Sequence, residues 1–251
     1  MQPVAYQSNS DAKLLRIQGE GRPVKNRILL ALPESEYETL CPYLALVGLP
    51  AQTSLYEPGE RLEFAYLPNS GLISLVVVTR EGKTVEAGLV GREGLLGTPA
   101  LLGLTRSPLR AVVRIDGDGL RLRADALCTI LPSTPRFQLL VSRQAMIQGM
   151  EAAQLAACNR LHRIEQRLAR WLLMMQDRIE GSSLSITHDL LAAMLGTDRP
   201  SVSLAAGILQ RKGAIGYTRG VIHILSREKI EEAACECYEV IHQFNSTLLA
   251  A

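Results

Sequence analysis

The chain has 251 residues, of which 47% are hydrophobic and 21% are charged, with a formal net charge of +2. This is an ordinary globular composition, which excludes a disordered or fibrous chain, and the length suffices for two compact domains or one large one. No apolar run approaches the roughly 20 residues that cross a bilayer and no signal core opens the chain, which predicts a cytoplasmic protein without a membrane partner.

The first half of the chain has the pattern of a β domain. Residues 1–26 are polar and without periodicity, which predicts a flexible N-terminal arm, and a short helical pattern follows at 34–44. Ten of the 20 glycines then fall between Gly59 and Gly119, separated by apolar or β-branched runs such as LISLVVV and TVEAGLV. Short strands punctuated by glycine turns are typical of an all-β sandwich, barrel or roll.

Helix-forming residues replace glycine after Leu122. ADALCTIL predicts a short helix, and residues 136–157 predict a longer one whose apolar surface is too wide for a helix covered on one side only. That surface fits a helix that packs against the β domain and also against the same helix of a second subunit. A helix inside one larger domain would have the same pattern. The pattern restarts around 158–160 and continues to about Ile179, before a loop at 181–183, and this stretch is the candidate hinge between domains.

The segment from Thr187 to Lys212 has the spacing of a helix-turn-helix. Gly196 can adopt the left-handed conformation that turns the chain. Ala192, four residues before it, provides the small side chain that two steeply crossing helices need, and Val202 lies six residues after it. Such a pair is predicted to bind DNA; a plain helical hairpin is the alternative.

The second helix of this pair is predicted over residues 198–211. Thr197 or Asp198 can cap its free backbone donors, and a proline is tolerated in a first turn. The residues left outward on this helix are Arg199, Pro200, Ser201, Ser203 and Leu204.

A wing is predicted directly after that helix. Residues 214–224, AIGYTRGVIHI, predict two short strands around a turn, and Arg219 at its tip would lie where a phosphate passes. Between positions 159 and 220, nine basic residues outnumber five acidic ones, a surplus that suits phosphate binding. The alternative, a merely solvated helix face, applies to Arg163, Arg167 and Arg170.

The five cysteines are an odd number scattered through the chain, which predicts reduced thiols. Ser226 is expected to cap a final helix that runs to Phe244 and contains Cys235 and Cys237. Side chains two residues apart on a helix point in different directions and chelate poorly, so a zinc or iron-sulfur site is the minority interpretation. We therefore expect neither a metal nor a cofactor, and no nucleophile pattern indicates an enzyme.

A β domain, a long helix and a winged helix-turn-helix, in that order, resemble the Crp-Fnr family of bacterial transcription regulators over about residues 27–225. The implied α+β fold has an N-terminal double-stranded, jelly-roll-like β-roll at 27–133, similar to cyclic-nucleotide-binding domains and acting as a sensor. A long dimerisation helix at 134–158 and a C-terminal winged helix-turn-helix domain at 159–251 follow. The resemblance rests on Pro58-Gly59-Glu60, Ser70-Gly71, Val90-Gly91 with Gly94 and Gly97, RLARWLL at 167–173, and the frame of Ala192, Gly196 and Val202.

By this resemblance the protein is a transcription regulator that binds double-stranded DNA as a homodimer and contacts RNA polymerase. Residues 198–211 would lie in the major groove of a palindromic operator whose half-sites are about 34 Å apart. Pro200 and Leu204 stand where members often carry Glu and Arg, so a different operator is expected. The rival function is a small-molecule-binding β-roll whose helical C-terminal domain mediates protein contacts. The full set of expected DNA-binding residues is Thr187, Arg199, Pro200, Ser201, Ser203, Leu204 and Arg219.

The effector pocket departs from the cyclic-AMP-binding members of that family. Those members carry a Gly-Glu pair followed by an Arg-Ser that holds the cyclic phosphate, whereas Gly97 is followed here by Thr98. The aligned arginine position falls near Leu109, with Arg106 and Arg110 close enough for a shifted alignment to restore a cation. We expect a pocket at Gly97, Thr98, Arg106 and Arg110 that binds some effector other than cyclic AMP, or a roll that serves only as scaffold.

Overall fold

The computed structural model describes residues 17–18, 22–179 and 181–249. Residues 1–16 and 19–21 of the predicted arm lie outside these ranges, while β1 (Ile17–Gln18) pairs with β2 (Arg22–Pro23) in antiparallel register. The end of the arm is not loose, because Val24 and Asn26 are buried. The Asn26 side chain caps α1 (Arg27–Leu30) and donates to the carbonyls of Pro68 and Gly94, which fixes the start of the domain to its strands.

The predicted β-roll forms after α2 (Glu34–Leu40) from two antiparallel sheets. Its strands are β3 (Ala45–Leu49), β4 (Ser54–Tyr56), β5 (Phe64–Pro68), β6 (Leu72–Val78), β7 (Thr84–Val90), β8 (Arg110–Ile115) and β9 (Gly117–Arg123). The strand order is β3-β9-β5 in one sheet and β4-β8-β6-β7 in the other. This arrangement confirms the roll among the three β architectures that the glycine spacing allows.

Two runs singled out in the sequence coincide with strands. LISLVVV is β6 and TVEAGLV is β7, and the two pair from Ile73 opposite Val90 to Val78 opposite Thr84. Their β-branched side chains suit a pleated surface that is buried on one face. Ile73 and Val90 lie in the core between the sheets, so the apolar face of this hairpin closes the roll.

Three helices follow the roll: α3 (Ala124–Ile130), α4 (Pro135–Leu161) and α5 (Ile164–Arg178). The predicted second helix, which runs to about Ile179, is present, but the break before it lies at His162 and Arg163 rather than around 158–160, because α4 continues to Leu161. The helix ends where His162 adopts an extended conformation with ψ 150°, and Arg163 is also extended before α5 begins. The backbone N–H of Arg163 donates to Gln166 Oε1 at 3.1 Å, which supplies the start signal for α5.

The C-terminal region contains the predicted pair of helices and the wing. Its elements are β10 (Ser183–Ser185), α6 (His188–Leu195), α7 (Arg199–Arg211), β11 (Ile215–Thr218), β12 (Val221–Ile224), α8 (Arg227–Ala233) and α9 (Cys237–Ser246). β10 adds a third strand beside β12, so the sheet order is β10-β12-β11.

The expected single final helix is broken in two. Ser226 caps α8 as predicted, its hydroxyl accepting from the Lys229 N–H. Ala234 then turns to an extended conformation with ψ 158°, and α9 starts only at Cys237. Cys235 and Cys237 therefore do not lie on one continuous helix, and the reason given for their poor chelation does not hold.

Helix α5 joins the roll to the C-terminal region. Trp171 is buried and donates from Nε1 to Glu86 Oε1 on β7 at 2.8 Å. Arg178 donates from Nε to Glu93 Oε1 at 2.9 Å. The alternative of a solvated arginine face is wrong for Arg167 and Arg170, which are both buried, because α5 is covered on several sides. No helix within the described ranges is long and apolar enough to cross a membrane.

Candidate functional site

Helices α6 and α7 form a helix-turn-helix with the predicted turn. Gly196 ends α6 in the left-handed conformation, with φ 58°. A side chain there would be strained, and its Cβ would also lie 3.0 Å from Cγ2 of Val85. Ala192 and Val202 are buried where the two helices meet. The steric interpretation of this spacing is confirmed.

Side chains cap both helices at their free backbone donors. Thr187 Oγ1 accepts from the Leu190 N–H at 3.2 Å at the start of α6. Asp198 Oδ1 accepts from the Ser201 N–H at 2.8 Å at the start of α7, and the Ser201 hydroxyl donates to Asp198 Oδ2. Asp198 rather than Thr197 is therefore the cap. These bonds lower the pKa of the Asp198 carboxyl, which keeps it ionised at neutral pH.

The first two turns of α7 present an exposed cation and an exposed apolar side chain. Arg199 lies 3.6 Å from Asp189 Oδ2 through its Nε, and both side chains are largely solvent-exposed. Leu204 is 72% exposed on a helix whose opposite face is buried. A guanidinium can donate two hydrogen bonds to guanine, and an apolar side chain can contact the thymine methyl group. Pro200 lies exposed beside them.

The wing is fastened to this face through His188. Its imidazole stacks on the ring of Tyr217 in β11 with centroids 4.3 Å apart, and its Nδ1 lies 2.9 Å from the Ser203 hydroxyl oxygen. Ser203 in turn donates to the Arg199 carbonyl at 3.0 Å. Burial and the neighbouring charge of Arg199 lower the pKa of His188, so the ring is neutral at neutral pH. The predicted contact residue Ser203 is thus already engaged within the protein.

Arg219 lies at the tip of the wing, as predicted. It adopts φ 47° and the following Gly220 adopts φ 83°, the conformation of a two-residue type I′ hairpin turn. The tight turn places the exposed guanidinium at the end of the hairpin. The sequence alone does not predict the role of His188. The only signals for it are a histidine at the start of a helix and an aromatic residue, Tyr217, on the wing.

Comparison with known proteins places this architecture in a family. The Crp-like helix-turn-helix domain family matches residues 166–233, which span most of α5 to the end of α8. The transcriptional regulator SdrP of Thermus thermophilus is 31% identical over 185 residues, covering 70% of this chain and 86% of SdrP. This chain belongs to the Crp-Fnr family. Like other Crp-Fnr proteins, it is a DNA-binding transcription regulator.

Solved structures show the same Crp-Fnr fold. FixK2 from Bradyrhizobium japonicum superposes with a TM-score of 0.66 at 15% identity, covering 76% of this chain and 98% of that one. A CRP/FNR-family transcriptional regulator of Thermus thermophilus gives a TM-score of 0.56 at 25% identity, covering 76% of this chain and 98% of that one. The order of roll, long helix and winged helix-turn-helix is therefore that of the Crp-Fnr fold.

A cavity of about 210 Å³ lies between the roll and α4. Gly97 and Thr98 line it as predicted, together with Gln148 and Glu151 of α4. Arg106 and Arg110 do not line it. Arg106 donates to the carbonyl of Gly59, and Arg110 Nε lies 2.8 Å from Glu57 Oε2.

The chemistry of this cavity is acidic rather than basic. Among the described residues that line it there is no lysine or arginine. Glu151 is buried, and its Oε1 has no hydrogen-bond partner within the described part of the protein. Burial raises the pKa of the Glu151 carboxyl. A cyclic phosphate would find no cation here, whereas a ligand that donates a hydrogen bond would find an acceptor.

Cyclic AMP is therefore expected to leave the melting temperature of the protein unchanged. A ligand at 100 times its Kd would add about 2.7 kcal/mol of stability, which corresponds to at least about 5 °C for a chain of this size. Thermal melts with millimolar cyclic AMP check this, with linear AMP as the control for non-specific effects. A rise of that size with the cyclic nucleotide alone would show that the protein does bind cyclic AMP.

Proposed function

We propose that this regulator binds a palindromic operator as a homodimer, with α7 of each subunit in the major groove. The observation that carries the proposal is that Arg199 and Leu204 on α7 and Arg219 at the tip of the wing are all exposed. In this arrangement α7 reads base edges and the wing contacts the phosphate backbone. Arg199 would donate to guanine, and Leu204 would pack on a thymine methyl group.

The second copy of the chain is proposed to pack on the exposed face of α4. Leu139, Met146 and Phe244 are exposed apolar side chains around a groove of about 580 Å³ that runs along this face. Six of the exposed positions of α4 follow the alternating spacing of three and four residues that two paired helices need. They are Leu139, Ser142, Met146, Gly149, Ala153 and Ala156, which we call the α4 stripe.

The neighbouring face of α4 already packs on the roll. Phe137, Leu140 and Val141 belong to the core of the roll. A helix that is apolar on both sides fits a position between the roll and a partner helix. The small residues in the second half of the stripe would let two α4 helices approach closely.

We also propose that the roll is a sensor whose cavity is linked to the DNA-binding region. Glu151 lines the cavity, and its Oε2 lies 3.5 Å from Nη2 of Arg178 on α5. Arg178 also pairs with Glu93 of the roll. A ligand that bonds to Glu151 would weaken its attraction to Arg178 and so act on the helix that carries the helix-turn-helix.

The experiment that tests the proposal is selection of bound fragments from genomic DNA, followed by gel shifts at two salt concentrations. The enriched sequence is expected to be palindromic, and binding is expected to weaken steeply with salt, since phosphate contacts release counterions. Absence of any retarded fragment at low salt would refute the proposal.

Replacing Arg199 with alanine is expected to relax the preference at one base position in each half-site. The loss of a bidentate contact costs about 1–3 kcal/mol, or about 5- to 150-fold in affinity for the selected operator. The matched control is Lys212→Ala, a cation just after α7 whose loss should weaken binding equally for all sequences. Unchanged preference in a selection with the Arg199→Ala variant would remove Arg199 from the base-reading residues.

A further inference from the structure

Three cysteines and a histidine meet at the junction of α4, α5 and the C-terminal helices. Cys158 lies in the last turn of α4 and His162 directly after that helix. Cys235 lies in the break between α8 and α9, and Cys237 is the first residue of α9. One ligand atom from each of these residues lies within 4.8 Å of the other three. We call this group the Cys3His cluster.

The spacing of these atoms fits a tetrahedral metal site. Cys158 Sγ and Cys235 Sγ are 3.5 Å apart, and Cys237 Sγ and His162 Nδ1 are also 3.5 Å apart. With Zn–S bonds of about 2.3 Å and Zn–N bonds of about 2.0–2.1 Å, neighbouring ligands of a tetrahedral zinc lie about 3.5–3.8 Å from each other. A zinc ion can therefore enter the cluster with small side-chain movements.

The two breaks in the helices aim these side chains at one point. α4 ends in an extended residue at His162, so its side chain leaves the helical course and faces the cluster. The extended Ala234 does the same for the pair that follows it. The end of α4 supplies Cys158 and His162, the break after α8 supplies Cys235 and Cys237, and the two pairs are 73 or more residues apart in the chain. Two local departures from helix that converge on the same four groups are difficult to explain by packing alone.

The groups around the cluster also match those of a zinc site. His162 turns its other ring nitrogen, Nε2, towards Glu236 Oε1 at 3.1 Å. Histidine ligands of metals almost always donate from the second nitrogen to a carboxylate or carbonyl, which leaves the first with its lone pair towards the metal. Gln154 donates from Nε2 to Cys237 Sγ at 3.1 Å, a contact that suits a thiolate. Both partners therefore orient ligands.

We propose that Cys158, His162, Cys235 and Cys237 bind one zinc ion in a closed structural site. The three cysteines are buried and the four ligands fill the tetrahedron, so no position is open for catalysis. Each thiol releases its proton to solvent when it binds the metal. The ion fastens the hinge between α4 and α5 to the segment between α8 and α9. It thereby sets the position of the DNA-binding region relative to the long helix.

A disulfide between Cys158 and Cys235 is the competing use of these residues. Their sulfurs are 3.5 Å apart, against about 2.05 Å in a disulfide bond. Such a bond would need an external oxidant, and it would not explain why His162 and Cys237 lie beside the two sulfurs. The zinc site uses all four groups.

The test measures metal bound by the full chain, purified without a histidine tag and under reducing conditions. We expect one equivalent of zinc per chain by elemental mass spectrometry, retained through gel filtration. After removal of zinc with a chelator, one equivalent of Co²⁺ should produce the intense visible absorption of tetrahedral cobalt with thiolate ligands. Zinc should then displace the cobalt and restore the melting temperature that the protein had before the chelator removed its zinc.

Variants localise the metal. Cys235→Ser and Cys237→Ser are expected to lose the stoichiometric zinc, whereas Cys128→Ser, at an exposed cysteine outside the cluster, keeps it. Glu236→Gln retains all four ligands, so it tests the partner of His162 in a chain that still folds. Its affinity for zinc in competition with a chromophoric chelator is expected to fall about 10- to 100-fold.

Three outcomes would overturn the proposal. One is a reduced wild-type chain that binds neither zinc nor cobalt, and another is metal content that Cys235→Ser and Cys128→Ser share equally. The third is a Cys158–Cys235 disulfide found by mass spectrometry in a protein whose reduced form takes up no metal. None of these depends on DNA binding, so the metal site and the proposed operator can fail separately.

Discussion

Replacing Met146 with glutamate is expected to hold the protein as a monomer and to weaken its binding to a complete operator at least about 100-fold. Met146 is 67% exposed in the middle of the α4 stripe, where the proposed partner helix would cover it. In the dimer, the glutamate of one subunit would face the same glutamate of the other across the two-fold axis. Burial of such unpaired charges strongly destabilises an interface.

The effect on DNA binding follows from the effect on assembly. In the proposed dimer each α7 would read one half-site, and two linked half-sites would bind far more tightly than one because the second contact is intramolecular. Analytical ultracentrifugation measures the mass, and gel shifts compare one half-site with two. The variant should bind both DNAs alike, whereas the wild type should strongly prefer the complete operator.

The matched control is Leu104→Glu, which places the same charge at an apolar side chain, 59% exposed, outside the α4 stripe. It should remain dimeric and bind the complete operator normally. A dimeric Met146→Glu protein with normal operator affinity would mean that the subunits pair through some other surface, and the α4 stripe would lose its proposed role.

The helix-turn-helix could be predicted from the sequence because its determinants are local. The turn needs a glycine at 196 with positive φ, the crossing needs a small residue at 192, and the cap needs an acceptor at 198. These requirements act within a few residues, so spacing in the chain shows them. The wing follows for the same reason, because a two-residue turn at Arg219–Gly220 fixes its hairpin.

The errors arise where distant parts of the chain decide the structure. Arg167 and Arg170 lie on a helix of mixed pattern, and only the covering of α5 by other elements shows that they are buried. Arg106 and Arg110 are close in sequence to Gly97 and Thr98, yet contacts with Gly59 and Glu57 hold them outside the cavity that those two residues line. The local sequence pattern shows neither the elements that cover α5 nor the partners of Arg106 and Arg110.

The Cys3His cluster shows most clearly that contacts between distant parts of the chain cannot be predicted from local sequence patterns. A Cys-x3-His and a Cys-x-Cys are present in the sequence, and each alone is a weak signal for a metal. Their meeting depends on α4 ending after Leu161 and on the break at Ala234. The sequence pattern indicates the first break a few residues too early and runs through the second, so the four residues remain separate until the fold brings them together.

Replacing Trp171 with alanine is expected to lower the free energy of unfolding by about 3–5 kcal/mol, the usual cost of removing a large buried aromatic side chain. Trp171 is the chain's one tryptophan and is 2% exposed in α5. Its Nε1 donates to Glu86 of β7, whose other carboxylate oxygen accepts from the Ser74 hydroxyl at 2.7 Å. The change therefore removes packing and a hydrogen bond between the roll and the helix that leads to the DNA-binding region.

Urea unfolding followed by circular dichroism measures this loss, since the variant has no tryptophan fluorescence. The control is Tyr43→Ala, which removes an aromatic side chain that is 47% exposed. Exposed substitutions of this kind usually change stability by less than about 0.5 kcal/mol. Equal unfolding midpoints for the two variants would mean that Trp171 does not pack between the roll and α5.

A double-mutant cycle separates the hydrogen bond from the packing. Trp171→Phe keeps most of the ring but leaves Glu86 Oε1 without its donor, and we expect it to cost about 1–3 kcal/mol. Burial raises the pKa of Glu86, while its hydrogen bonds with Ser74 and Trp171 lower it, so the lost donor also makes the ionised carboxylate harder to keep. Combined with Glu86→Gln, the two changes should be non-additive by about 0.5–3 kcal/mol, because residues that share a contact are coupled. Strict additivity would show that this hydrogen bond contributes nothing and that Trp171 stabilises the contact between the roll and α5 through packing alone.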